Sequence, residues 1–233
     1  KEKCIIIDEI QLMPELFSLL RALIDENRVP LRFIILGSAQ PAIIRNSAES
    51  LAGRIAYIEL TPFNCVEVGF NDKFEKDLFF KGGFPLAYLS KNKSQSIHWL
   101  NNFIKTYIER DLPLLGLKAN PLLVRRLWEM LSWQSGNLLN YSSLGKSLGL
   151  SNHTINTYID FLEGAFMVRR LYPFHFNIKK RLVKSPKIYL SDTGVMHRLL
   201  RIAEFDQLLG SPFIGASWET YVMNQLFSVK PDD

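Results

Sequence analysis

Over the first sixty positions, short apolar runs alternate with stripes at helical spacing. Cys4-Ile5-Ile6-Ile7 is a continuous, largely β-branched apolar run, the pattern of a parallel strand buried on both faces. Pro14 follows, a residue favoured at the start of a helix. Leu16, Leu19, Leu20, Leu23 and Ile24 then line one helical face. Residues 31–36 predict a second strand, 43–51 a short helix, and 55–60 a third strand closed by Pro62. Strands alternating with helices in this way predict an α/β unit with a parallel sheet.

Beyond Pro62 the period becomes mainly helical. Gly82-Gly83-Phe84-Pro85 is a tight turn. Ile97, Leu100, Ile104, Tyr107 and Ile108 fall at helical spacing, and residues 122–133 and 142–148 predict two more helices. After Gly149-Leu150, Ser151 stands where it would cap a helix carrying Ile155, Ile159 and Leu162 on one face. Residues 171–190 are strand-like around a basic hairpin. The fold class expected is α/β followed by a mainly helical region.

Composition adds that 47% of the 233 residues are apolar, enough for a substantial core. No apolar run is long enough to cross a bilayer, so no membrane partner is expected. Cys4 and Cys65 are the only cysteines; they make no disulfide framework, which points to a reducing cytoplasm. His98, His153, His175 and His197 lack zinc-ligand spacing. The opening Lys1-Glu2-Lys3, without a Met, reads as a start inside a longer frame. From 167 to 190 there are seven Lys or Arg and no acid. Such a one-signed stretch favours a polyanion, although a solvated face or a surface docked on an acidic neighbour has the same composition.

The candidate chemistry begins at Asp8-Glu9. A buried strand of a parallel sheet aims its C-terminal end at a ligand crevice. An Asp there can hold Mg²⁺, and the next carboxylate can orient an attacking water. Apolar strands also end in acids merely as terminating charges. Ser38 ends the next strand, on the same sheet edge, and could position that water or touch a γ-phosphate. Arg54 lies between a helix and the third strand, where it could reach a phosphate in a neighbouring subunit or simply offset a helix dipole.

Ile6-Ile7-Asp8-Glu9-Ile10-Gln11, Ile35-Leu36-Gly37-Ser38-Ala39, Ser50-Leu51-Ala52-Gly53-Arg54-Ile55 and Glu59-Leu60-Thr61-Pro62-Phe63 together resemble bacterial and archaeal AAA-type ATPases with a C-terminal domain of unknown function. The resemblance continues through Gly82-Gly83-Phe84-Pro85, Tyr107-Ile108-Glu109-Arg110-Asp111, Lys180-Arg181-Leu182-Val183-Lys184-Ser185-Pro186-Lys187 and Ser191-Asp192-Thr193-Gly194. It implies Walker B roles for Asp8 and Glu9, with Asp8 the Mg²⁺ ligand, a sensor-like role for Ser38 and a trans-acting role for Arg54. It also implies four regions: a partial AAA-type core (1–62), a helical lid-like region (63–115), a winged-helix-like module (116–190), and the start of a nuclease-like region (191–233). Leu86 stands where the resemblance would place an acid. No G-x-x-x-x-G-K-[S/T] occurs in the sequence, so the amide cradle and Lys that hold phosphates are not among these residues. In the family fold the P-loop strand lies between the strands at 31–36 and 55–60. ATP and Mg²⁺ are therefore the cofactors of an intact parent, and the chain alone is expected to bind neither tightly and to be inactive as an ATPase.

Residues 141–164 read as a helix-turn-helix. Its second helix opens with Asn152, His153, Thr154, Asn156 and Thr157, short polar side chains of the kind that meet base edges. Lys179, Lys180, Arg181 and Lys184 could grip phosphates as a wing. The same scaffold also serves protein contacts, and the hairpin could simply pack within the protein. Glu219 alone makes no metal site, and Asp192 reads as a turn residue. Partners open to the chain are DNA, a protein client and further copies of itself. The function expected is a fragment of an AAA-type ATP-binding protein whose parent couples ATP binding or hydrolysis to the winged-helix-like module. The alternatives are a non-catalytic DNA-binding or interaction module with a remnant ATPase half, and a truncated nuclease-like protein.

Overall fold

The computed structural model describes residues 4–37, 51–174 and 185–229. The chain forms two compact units, 1–59 and 60–233.

In the first unit, strand β1 (Ile5–Ile7) pairs in parallel with β2 (Phe33–Ile35), Ile6 opposite Ile34. Helix α1 (Leu16–Glu26) connects them. Phe17 and Leu20 on α1 pack with Ile10 and Leu51, and Ile7, Ile24, Phe33 and Ile35 close the cluster. The inward face thus centres on buried Phe17 and Leu20, flanked by half-buried Leu16 and Ile24, and Leu19, expected inside, is 54% exposed.

Two strand expectations need correction. The continuous apolar run predicts a buried β1, yet Ile5 and Ile6 are 48% and 64% exposed; a parallel sheet is buried only where helices cover both faces. Residues 55–60 form no strand. A strand exists through its ladder partners, and this segment is paired with none of the described strands. The helix expected at 43–51 falls outside the described residues except Leu51.

In the second unit the helical expectations hold to within a few residues. Helix α2 (Asp72–Lys81) is capped by Asn71, α3 (Lys93–Thr106) by Asn92 and α4 (Pro121–Trp133) by Asn120. Each cap side chain accepts an amide hydrogen that the first helical turn cannot use internally. After α3 the chain widens into a π turn, Tyr107–Asp111. Pro113 accounts for it: the ring offers no N–H to the Glu109 carbonyl and crowds it.

Helix α5 (Tyr141–Leu148) ends at Gly149, whose φ of 67° is the left-handed turn that favours glycine. Helix α6 (Asn152–Gly164) follows at once, with Ser151 accepting from the Thr154 amide at 3.1 Å as expected. Strands β3 (Val168–Leu171) and β4 (Lys187–Leu190) are antiparallel, with Val168 opposite Leu190. Helices α7 (Thr193–Leu199) and α8 (Ile214–Ser228) complete the unit. One core runs through Leu100, Leu127, Trp128, Leu144, Ile159, Ile188 and Met196, so residues from the regions expected at 63–115, 116–190 and 191–233 share a single core.

Candidate functional site

Three constellations carry the candidate chemistry. The first is the edge of the small parallel sheet. The Leu36 amide donates to the Ile7 carbonyl at 2.8 Å, and the Ile10 amide to the Leu36 carbonyl at 3.3 Å. These bonds bracket Asp8-Glu9 and set the pair beside Leu36-Gly37. Both acids are exposed. Glu9 takes a left-handed conformation, φ 51°, and its amide donates to Asp8 Oδ1 at 3.0 Å. Ser38 lies outside the described residues.

Arg54 forms a bidentate pair with Asp25 at the end of α1, Nε to Oδ1 at 2.8 Å and Nη2 to Oδ2 at 2.9 Å. Its Nη1 donates to the Ala52 carbonyl at 2.9 Å. The guanidinium holds the Asp25 carboxyl below its ordinary range.

The second constellation is the helix-turn-helix face. Leu139, Tyr141, Ser142, Asn152, His153 and Asn156 line an open groove of about 720 Å³ at the start of α6. Asn152 Nδ2 donates to Ser142 Oγ at 3.1 Å, tying the two helix starts together. Asn152 and His153 are exposed and Asn156 is half-buried.

The basic stretch divides by role. Arg170 turns inward: its Nη2 reaches Asp160 Oδ1 at 2.6 Å, and its Nε reaches Glu163 Oε2 at 2.7 Å. Burial acts to lower the guanidinium, but its hydrogen bonds to Glu163, Tyr141 and Asp160, with the charge of Glu163, hold it above its ordinary range. Lys187 pairs with Glu219 at 2.8 Å, and Arg169 lies over the Phe227 ring at 5.2 Å. Lys179, Lys180, Arg181 and Lys184, the residues expected to grip phosphates, lie outside the described residues.

Sequence reasoning missed the third constellation, the junction around Asp192. Its carboxylate is buried, accepting from the Gly83 amide at 2.7 Å and, as the α7 cap, from Val195 at 2.8 Å. Burial pushes the carboxyl up to about 6, against the lowering effect of the amides of Val195, Gly83, Gly194 and Phe84. Glycines make the approach possible. A Cβ on Gly194 would stand 2.0 Å from the Lys81 carbonyl oxygen, and one on Gly83 2.4 Å from that of Phe63. The Gly-Gly-Phe-Pro and Ser-Asp-Thr-Gly motifs are thus two halves of one junction. Their glycines were the visible signal; their mutual contact was not.

The linear sequence marks His197 only as one of four scattered histidines. It is fully buried, with Nδ1 2.9 Å from the Phe80 carbonyl and Nε2 2.6 Å from Ser217 Oγ. A carbonyl only accepts, so Nδ1 carries the proton and Nε2 accepts from the serine. Desolvation lowers its pKa to about 4. Glu219 accepts from Tyr189 at 2.7 Å as well as from Lys187. No cluster of three or more potential metal ligands occurs among the described residues, and none of their helices is long and apolar enough to cross a membrane.

Comparison with known proteins gives two domain matches. An AAA domain matches residues 1–69, and a domain of unknown function, DUF8612, matches residues 73–206. Uncharacterized proteins of Mycobacterium bovis and Mycobacterium tuberculosis are each 41% identical over 222 residues, covering 95% of this chain and 50% of their own length. An uncharacterized protein of Haemophilus influenzae is 25% identical over 207 residues, covering 82% of this chain and 50% of its own length. The chain therefore spans about half the length of the curated relatives it matches. No solved structure matches it.

Proposed function

The chain belongs to the family described as domain of unknown function DUF8612, preceded by an AAA-domain segment, and from that premise we propose that it is the part of an AAA-type ATP-binding protein that couples nucleotide state to a winged-helix-like, DNA-contacting module. The observation that carries the ATPase reading is the position of Asp8-Glu9. They leave β1 beside Leu36-Gly37, at the C-terminal edge of a parallel pair, inside the segment that matches an AAA domain.

The residues present fit part of a Mg²⁺–nucleotide site. Mg²⁺ keeps several waters and takes one or two carboxylates together with substrate phosphates. The exposed Asp8 carboxylate, steadied by one amide, suits that role. Bound Mg²⁺ would neutralise charge on the phosphates. Glu9 is the candidate to orient the attacking water, and Ser38 to position it. The phosphate cradle must come from residues other than these. The DNA contact is assigned to Asn152, His153 and Asn156 on the α6 face, with Lys179, Lys180, Arg181 and Lys184 supplying phosphate contacts.

One observation favours the alternative of a non-catalytic module with a remnant ATPase half. Arg54, the candidate trans-acting residue, is engaged on both forks by Asp25 of its own unit.

The deciding experiment compares ATP binding and hydrolysis by the full-length protein and two variants. Asp8→Asn should lose Mg²⁺-dependent hydrolysis. Glu9→Gln should retain ATP binding while turnover drops about a hundredfold or more. If the unmodified full-length protein neither binds nor hydrolyses ATP, the non-catalytic reading replaces the proposal.

A further inference from the structure

The α6 face contains a side chain whose orientation is fixed by its neighbours. Asn156 Nδ2 donates to Asp160 Oδ2 at 2.8 Å, one helical turn along. Asn156 Oδ1 accepts from Arg170 Nη1 at 3.4 Å. A carboxylate only accepts and a guanidinium only donates, so the two ends of the amide cannot be exchanged.

Arg170 is itself held firmly. Its side chain is 11% exposed, and its Nε and Nη2 engage Glu163 and Asp160. The Arg170 amide donates to Glu163 Oε1 at 2.8 Å, so the β3 backbone is tied to the same acid. Tyr141 Oη lies 3.4 Å from Nη1. A simple staple between β3 and α6 would be complete with Glu163 alone. Extending the network outward to Asp160 and Asn156 instead fixes a residue that lines the groove.

An amide has two N–H groups and two carbonyl lone pairs. Asp160 takes one N–H and Arg170 one lone pair, leaving one of each. An adenine edge in the major groove needs that number: N7 accepts and the N6 amino group donates, and Asn pairs with both. The cost of ordering the amide is met within the free protein rather than on binding. The adjoining acids argue against an undirected phosphate contact here, since Arg170 is occupied by both of them.

We propose that Asn156 is a specificity-determining residue that reads an adenine, and that Arg170 is the positioning residue that holds its amide in the reading orientation. The proposal rests on the DNA-contact reading above and adds the base recognised. The test is selection from a pool of duplex DNA with a randomised core by the full-length protein. Affinities for the selected duplex, and for the same duplex with the adenine replaced, are then measured by fluorescence anisotropy.

The unmodified protein should favour adenine at one position. Asn156→Ala should bind the selected duplex about ten- to a hundredfold more weakly and the replaced duplex as before. Arg170→Lys, which lacks the planar fork, should lose part of the same discrimination; a thermal melt checks its folding, and if it unfolds Asn156→Ala decides alone. Sequence selection that persists unchanged in Asn156→Ala overturns the adenine assignment while leaving DNA contact intact. Failure of the unmodified protein to bind any duplex overturns both.

Discussion

His197 predicts a specific acid weakness in the helical unit. The imidazole is fully buried, stacked on Phe80 at a centroid distance of 5.4 Å and edge-on to Phe79. Desolvation holds its pKa at about 4 in the fold, against 6.5 for the ordinary side chain. Between those values the unfolded chain binds a proton that the folded chain refuses. The sign follows: the contribution is present above pH 6.5 and is lost as pH falls toward 4. At about 1.4 kcal/mol per pH unit of difference, the full loss is about 3 kcal/mol, and about 2 kcal/mol of it has occurred by pH 5. Against a typical stability of about 5–15 kcal/mol, that is readily measured.

The assay is thermal unfolding at pH 7.5 and pH 5.0, followed by tryptophan fluorescence. All four tryptophans (Trp99, Trp128, Trp133 and Trp218) lie in the second unit, so the signal reports that unit. The unmodified protein should lose about 4–8 °C more than His197→Gln on going to pH 5.0. Comparing the two proteins matters because Asp192, raised to about 6, acts with the opposite sign: its contribution is present below its unfolded pKa and lost as pH rises through the folded one. That term is common to both proteins and cancels. Equal losses in the two proteins would refute the assignment of His197 as a buried, neutral histidine.

Two further outcomes follow from the structure. Gly194→Ala and Gly83→Ala should each destabilise the second unit by about 1–3 kcal/mol or more, because the new methyl meets backbone that cannot give way, whereas Gly215→Ala, with nothing within 4 Å, should be neutral or gain about 0.5 kcal/mol as a helical glycine replaced; urea unfolding measures all three. Arg54→Ala should let the Asp25 carboxyl titrate at higher pH, observed by side-chain NMR, since the guanidinium is the main cause of its lowered value; an unchanged titration would mean that Asp25 and Arg54 are not paired in solution.

Periodicity and capping chemistry made the helical half legible. The apolar stripe Ile155–Ile159–Leu162 and the cap Ser151 placed α6 almost to the residue, because these signals are local and read the same whatever the chain packs against. Asp8-Glu9 was legible for the same reason, as charge at the end of an apolar run. The strand at 55–60 and the burial of β1 were not. Both depend on neighbours, and an apolar segment carries no record of whether a partner strand or a covering helix is beside it.

The sequence by itself determined that a short parallel unit precedes a helical one, that acids end the first strand, and that a polar-faced helix follows Ser151. Only the tertiary structure decided what the charged and polar side chains do. It spent Arg170 on Asp160, Glu163 and Asn156, gave Arg54 to Asp25, and joined Gly82-Gly83 to Asp192 across more than a hundred residues of chain. Local propensity acts over a few residues, whereas an ion pair or a buried carboxylate is defined by what folding brings within about 3 Å of it. No spacing in the linear chain encodes that distance.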